Sequence, residues 1–341
     1  MEETVRKKAE LILGGDILIP SDFVMPFRLS RSTAGPGAGK VSAVFEFDGM
    51  RVKKGVSSER GEFQLKNNNG KLSLWKNSSL FLENVTIQPV VFHSPNHAFF
   101  NLDQRCMFRC VFCASPLLDR NITKDLTDEK IAEMIRKEEK RTDIPAIALT
   151  SGVVGSIQES VDRMVACVKH LHSEFPDKII GVEPYVDRKE QIDALFNAGA
   201  NEFKLNIETA TEDIFKKVCP DLDRNSVFEM LSHAVNVFGK GRVASNLIYG
   251  LGETDDDVVN EMERLASIGC IPGLRALKIT DSNRFQLENA LGKVEPVTER
   301  KMIYLAGKQK EIMSKYGLTT ETFETMCFKC QCCDIVPFVN I

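Results

Sequence analysis

From His97 onward the chain repeats one pattern six times: a short apolar segment, a polar loop, then a stretch of helical period. The predicted strands are residues 98–102, 146–149, 179–183, 202–207, 243–249 and 274–279. Helical patterns lie near 128–140, 156–173, 188–197, 210–217 with 225–238, and 254–267. Thr127 reads as the N-cap of the first of these, with Asp128 and Glu129 in its first turn, where negative charge is favoured. Strands that alternate with helices build a parallel sheet. In a barrel-like sheet the chemistry collects where strands end and loops begin. A last helix, about 297–315, leads into a cysteine-rich tail.

The chain ahead of His97 reads differently. A short helix, about 2–13, is followed by the Gly/Pro/Ser-rich stretch 30–40 and then by short alternating segments at 41–47, 50–56, 62–66, 71–75 and 80–85. Asp48-Gly49 and Asn69-Gly70 are among the turn signals that separate these segments, and Asp48-Gly49 between two alternating runs is a hairpin signal. The expected fold is therefore α/β: a partial (β/α)6 TIM-like barrel with an N-terminal β-rich module and a C-terminal cysteine-rich extension. The expected boundaries are 1–94, 95–296 and 297–341. A chain of 341 residues that is 43% hydrophobic can bury a core of that size.

A formal net charge of −4 and the lack of any basic run argue against a nucleic-acid binder. No apolar segment reaches membrane-spanning length, and the charged stretch from Met1 to Glu10 has no signal-peptide core. Ten cysteines are many for one chain, and seven of them fall within 106–113 and 327–333. Neighbours so close in sequence rarely meet disulfide geometry, so the clusters point to metal and to a reducing cytoplasm.

Cys106, Cys110 and Cys113 follow the first barrel strand as Cys-x3-Cys-x2-Cys. Such a loop can wrap three thiolates around three corners of a [4Fe–4S] cubane and leave one iron open. Zinc is an alternative, but it prefers four ligands in Cys-x2-Cys pairs. An inert apolar cysteine cluster is another, and Arg105 and Arg109 beside the loop argue against it.

The loop, with Phe112 just before the third cysteine, resembles the signature of the radical S-adenosylmethionine superfamily. The resemblance implies that the open iron chelates the amino and carboxylate groups of S-adenosylmethionine. Reductive cleavage then yields a 5′-deoxyadenosyl radical that removes hydrogen from an unactivated carbon. It also implies a reducing electron donor such as ferredoxin or flavodoxin. The resemblance extends over about residues 97–280.

The strand ends supply candidates for the cosubstrate. Leu149-Thr150-Ser151-Gly152 resembles the family position that meets the methionine amino group, though the usual Gly-Gly-Glu form is absent; a Ser/Gly turn is the alternative. Alternation puts Asn206 and Glu208 on one face, where an amide and a carboxylate suit ribose hydroxyls and the methionine part. The alternative there is a solvated strand end with a helix cap at Thr209. The stretch from Asn206 to Pro220 resembles biotin and lipoyl synthases. Asn246-Leu-Ile248-Tyr-Gly250-Leu-Gly252-Glu253 resembles the family's adenine-contact motif, Gly-x-Ile-x-Gly-x-x-Glu, with Asn246 in place of its first glycine. Glu183, ending the third strand, is expected to face the same mouth. Arg275 is a candidate for an anionic group.

Cys327, Cys330, Cys332 and Cys333 offer four thiols within seven residues, enough for an auxiliary iron–sulfur cluster or a zinc ion. Adjacent cysteines point in different directions, so three of the four plus an outside ligand is one arrangement. A flexible thiol-rich tail is the other reading. Cys167, Cys219 and Cys270 stand alone and read as structural. Some radical S-adenosylmethionine enzymes use a second cluster as a sacrificial sulfur source. Ordinary lipoyl synthases carry their auxiliary cysteines before the barrel, whereas here they follow it, as in a distinct branch akin to the archaeal lipoyl synthases that work as a pair of proteins. The expected reaction is sulfur insertion at an unactivated C–H, with a lipoyl-type carrier protein and a second radical S-adenosylmethionine protein as implied partners. Radical methylation, carbon-skeleton rearrangement and a non-catalytic iron–sulfur carrier are the rival readings.

Overall fold

The computed structural model describes residues 2–27, 29–31, 40–90, 93–95, 97–118 and 126–341. Most of the Gly/Pro/Ser-rich stretch 30–40 lies outside the described residues.

The N-terminal part opens with α1 (Glu2–Leu13), which buries Val5, Lys8, Ala9 and Leu11. Seven strands follow: β1 (Ile17–Leu18), β2 (Ser30–Arg31), β3 (Val41–Phe47), β4 (Met50–Ser57), β5 (Phe63–Asn68), β6 (Lys71–Lys76) and β7 (Ser79–Gln88). Their order is β2-β3-β4-β1-β5-β6-β7, and a β3–β7 pairing closes the sheet on itself. Closure removes the long open edges that invite mispairing. The expected hairpin at Asp48-Gly49 forms, and the turn at Asn69-Gly70 closes a second one, with Asp48, Gly49, Asn69 and Gly70 all at positive φ (47°, 74°, 52° and 85°), as a type I′ turn requires. Phe45, Phe47, Val52, Phe63, Leu65 and Leu74 fill the interior.

Six parallel strands then run in sequential order: β8 (Ala98–Asn101), β9 (Ala146–Thr150), β10 (Ile179–Glu183), β11 (Glu202–Lys204), β12 (Val243–Tyr249) and β13 (Ile271–Ala276). The helices are α2 (Asp128–Glu139), α3 (Ile157–Glu174), α4 (Lys189–Asn197), α5 (Glu212–Val218), α6 (Arg224–Phe238), α7 (Asp255–Ser267), α8 (Arg284–Leu291), α9 (Glu299–Lys315) and α10 (Met326–Cys330). Thr127 caps α2 by accepting from the Lys130 N–H. The α/β partial barrel expected from the alternation is thus the observed architecture.

Two barrel strands differ from expectation by more than one residue. β11 ends at Lys204 rather than 207, because the chain turns at Glu208, whose φ is 64°. β13 occupies Ile271–Ala276 rather than 274–279. It takes in Pro272 and Gly273 because β13 is an edge strand, where proline is tolerated. The helix cap at the end of strand β11 is Thr211, which accepts from Ile214 N, and not Thr209.

The C-terminal tail enters the barrel. The buried Glu202 carboxylate accepts from Glu324 N (2.8 Å), Thr325 N (2.9 Å) and Thr325 Oγ1 (2.7 Å). A Cβ on Gly181 would stand 2.1 Å from Thr325 Oγ1, and one on Gly273 would stand 3.3 Å from Phe328 Cζ. Glycine at these inward strand positions is what lets the tail lie against the barrel wall. The tail is therefore docked, not a free end.

Candidate active site

The cysteine loop is fastened on three sides. Met107 N donates to Val153 O (2.7 Å) and Gly152 N to Asp103 O (2.8 Å), which ties the loop to the end of β9. Val111 N donates to Val218 O (2.9 Å), and Arg109 grips Asp221 through its backbone N (2.7 Å) and its guanidinium. Asn283, fully buried, donates from Nδ2 to Phe112 O (3.1 Å) and Lys278 O (3.0 Å). Cys110 and Cys113 share an apolar cluster with Phe112, Ile248, Leu277 and Cys219.

Burial pushes the Cys113 thiol up to about 11, and Cys106 also lies above its ordinary value through burial. The Cys110 thiol adds to both shifts, so the three sulfurs share one recess. Such thiols are protonated in the metal-free protein, and metal binding would release their protons. Among the described residues no three His, Cys, Asp or Glu side chains converge closely enough for a single metal ion. A cubane binds each thiolate to a different iron, so three spaced thiols on one apolar recess fit it. Cys219, read in sequence as an isolated structural cysteine, sits against Cys110, and a hydrogen bond to Cys110 drives its thiol well above the ordinary value.

The strand-end residues gather around the same mouth. Asn206 Nδ2 donates to Glu183 Oε1 (3.1 Å), and Asn246 N donates to Asn206 Oδ1 (3.2 Å). Glu208 is hydrogen-bonded to Asn206, and burial, aided by the charge of Glu183, raises its pKa to about 7. Its left-handed backbone is held from both sides: Glu208 N donates to Asn246 O (3.1 Å) and Ile248 N to Glu208 O (2.8 Å). A non-glycine residue in that conformation carries strain of the kind that gathers at functional sites. Thr150 Oγ1 donates to Glu183 O (3.3 Å), and Ser151 Oγ to Gly152 O (2.9 Å). Ile248 packs against the same apolar cluster as Cys110 and Cys113. Glu253 does not reach into the mouth. Its carboxylate accepts from Gly250 N (2.6 Å) and Leu251 N (2.8 Å) and meets Lys301 Nζ (3.3 Å), so it shapes the Gly250 turn from behind.

The tail cysteines lie on the other side of this network. Lys204, buried on β11, pairs with Glu183 Oε1 at 2.9 Å and approaches Cys327 Sγ at 4.0 Å. Arg275 turns toward the tail and not toward the mouth: Asp334 Oδ2 stands 4.0 Å from its Nη1. Burial opposes the Arg275 charge, but Cys327, Asp334 and Cys333 outweigh it. Its Nη2 is a buried donor without a hydrogen-bond partner, which suits an anionic group beside it. Cys330 and Cys332 are buried, Cys327 is half-buried, and Cys333 is exposed. A hydrogen bond with Cys332 lowers the Cys330 thiol to about 6. Thiols, buried cations and an orphaned guanidinium donor fit an anionic iron–sulfur cluster. Lys204 was not anticipated. Its signal was a run of charged residues, Glu202 and Lys204, at alternate positions of a central strand.

Comparison with known proteins bears on the family and the fold. The family model for the radical SAM superfamily matches residues 101–265. A lipoyl synthase of Buchnera aphidicola subsp. Schizaphis graminum (strain Sg) is 27% identical over 184 residues, 53% of this chain and 56% of that one. A lipoyl synthase of Ectopseudomonas mendocina (strain ymp) is 25% identical over 167 residues, 48% of this chain and 47% of that one. The chain thus spans about half the length of the curated relatives it matches. Among solved structures, methylornithine synthase (PylB) superposes with a TM-score of 0.51 at 18% identity, over 62% of each chain. The FeFe-hydrogenase maturase HydG from Carboxydothermus hydrogenoformans gives 0.52 at 16%, over 69% of this chain and 55% of that one. These likenesses are of fold. Over residues 101–265 the chain matches the radical SAM superfamily, and its weaker sequence likeness runs to the lipoyl synthases.

Proposed function

We propose that this protein inserts sulfur at an unactivated C–H of an octanoyl or related acyl chain borne by a lipoyl-type carrier protein, with a second radical SAM protein as partner and ferredoxin or flavodoxin as reductant. The observation that carries the reading is the Glu183–Lys204–Cys327 contact, which puts the tail cysteines and the strand-end carboxylates on one barrel interior. Cys106, Cys110 and Cys113 would hold a [4Fe–4S] cluster with an open iron, and Cys327, Cys330, Cys332 and Cys333 the auxiliary cluster. When bound, the first cluster supplies the electron that cleaves S-adenosylmethionine, and the second supplies sulfur.

The chain's own residues hold and orient. Asn206 and Glu208 receive ribose hydroxyls and the methionine part, with Glu183 locking Asn206. Thr150 and Ser151 line the side nearest the methionine amino group. Ile248 and the Gly250 turn form the adenine wall, and Glu253 keeps that turn in shape. Apolar walls around the loop, from Phe112 to Leu277, exclude water from a reactive intermediate.

The test is to rebuild the auxiliary cluster with isotopically heavy sulfide and follow the label during turnover with an octanoylated carrier or peptide. Label in the product, lost in Cys330→Ala, supports the reading. A methylated or rearranged product without added sulfur would replace it with a methylase or mutase reading.

A further inference from the structure

Two lysines of the N-terminal part are turned inward against the tail. Lys8 on α1 is fully buried, and its Nζ donates to Gln331 O and to Asn340 Oδ1, both at 2.7 Å. Lys53 on β4 donates from Nζ to His93 O at 2.9 Å, while its backbone N donates to Cys332 O at 3.1 Å. Between them, Val44 of β3 packs on Cys330 and Cys332. The tail is thus enclosed by the N-terminal sheet on one side and by Lys204 and Arg275 of the barrel on the other.

A buried ammonium is costly unless an anion stands near it. The hydrogen bonds of Lys8 and Lys53 go to neutral acceptors. Gln331, the acceptor of Lys8, lies between Cys330 and Cys332 in the chain, and the Lys53 backbone is bonded to Cys332 itself. Lys8 and Lys53 thus border the cysteine segment from the N-terminal side, and Lys204 and Arg275 border it from the barrel. A thiolate-ligated iron–sulfur cluster carries net negative charge, and its potential follows the charges and hydrogen bonds around it.

We infer that the N-terminal module is the outer wall of the tail-cysteine site, and that Lys8 and Lys53 are positioning residues that compensate the charge of an iron–sulfur cluster held there. The inference rests on the reading of the tail as a cluster site. It assigns the module a task within the chain, apart from any docking of a carrier protein. Reduction adds an electron to the cluster, so a nearby buried cation favours the reduced form, and its removal makes reduction harder.

The experiment is an anaerobic redox titration followed by electron paramagnetic resonance, with iron and sulfide counted on the same samples. It compares wild type, Lys8→Met, Lys53→Met, the charge-retaining Lys8→Arg and Lys53→Arg, and Lys293→Met as a control whose side chain is 86% exposed. The expected result is iron for two clusters in every sample and a more negative midpoint for the tail cluster in the methionine variants. A shift of at least tenfold in the reduced-to-oxidised ratio is expected, about 59 mV for one electron. The arginine variants and the control should keep the wild-type value, and the barrel cluster should not move. If Lys8→Met fails to retain the tail iron, Lys53→Met decides, because its backbone bond to Cys332 survives the substitution. Two intact clusters with an unmoved tail potential in Lys53→Met would overturn the inference. Iron for only one cluster in wild type would instead overturn the reading on which it rests.

Discussion

Glu208 carries both strain and charge at the barrel mouth. Its folded pKa of about 7 lies above the ordinary 4.5, so the folded chain holds this proton more tightly than the unfolded one. The stability it contributes is full below about 4.5 and is lost as pH rises through about 7. In the cosubstrate-free protein, Glu208→Gln should flatten that part of the melting-temperature profile between pH 4.5 and 8; parallel profiles for variant and wild type would contradict the burial argument. Cys219 offers a second test. As a hydrogen-bonding neighbour of Cys110, its replacement by Ala should leave the barrel cluster's iron and S-adenosylmethionine binding in place. Loss of that iron would instead mark Cys219 as a fourth ligand and close the open site. Ligand identity was legible in sequence where spacing is local, as at Cys106, Cys110 and Cys113. Cys219 and Asn283 were not, because they reach the loop from 109 and 170 positions beyond Cys110 and Cys113 through tertiary packing alone.

The elements followed their periodicity closely where both strand faces are covered or a turn motif is explicit, as in β9, β10, β12 and the two Gly-containing hairpins. The shift of β13 shows the limit: Pro272 and Gly273 look like punctuation until β12 supplies the register Asn246↔Gly273 and the tail supplies Phe328 as the reason for glycine. The short helix α10 was likewise invisible, since its stability comes from the barrel wall rather than from five residues of its own. Gly181→Ala tests that packing. The added methyl collides with Thr325, and a loss on the order of 1–3 kcal/mol is expected, with auxiliary iron falling while barrel iron holds. Unchanged stability and iron would mean that the tail can shift without consequence. Asn283→Ala should strand the carbonyls of Phe112 and Lys278 and cost about 1–3 kcal/mol, measured by denaturant unfolding of the metal-free protein.

Across the molecule, three stretches of chain far apart in sequence meet at one interior: the cysteine loop at its mouth, the tail cysteines within it, and the N-terminal sheet behind the tail. The alternating sequence pattern was enough to read the partial barrel, and the composition of the first ninety residues enough to read a β-rich module. Their mutual arrangement was not legible, because it depends on buried contacts such as Lys8 to Gln331, separated by 323 positions. No helix among the described residues is long and apolar enough to cross a membrane. The claim on which everything else stands is that the cysteine loop supports reductive cleavage of S-adenosylmethionine. The direct measurement is 5′-deoxyadenosine released by the anaerobic, cluster-loaded and reduced protein, compared with Cys106→Ala, Cys110→Ala and Cys113→Ala. The account predicts 5′-deoxyadenosine from wild type and none from any of the three variants. Wild-type release from any one of them, or none from fully loaded and reduced wild type, would contradict it.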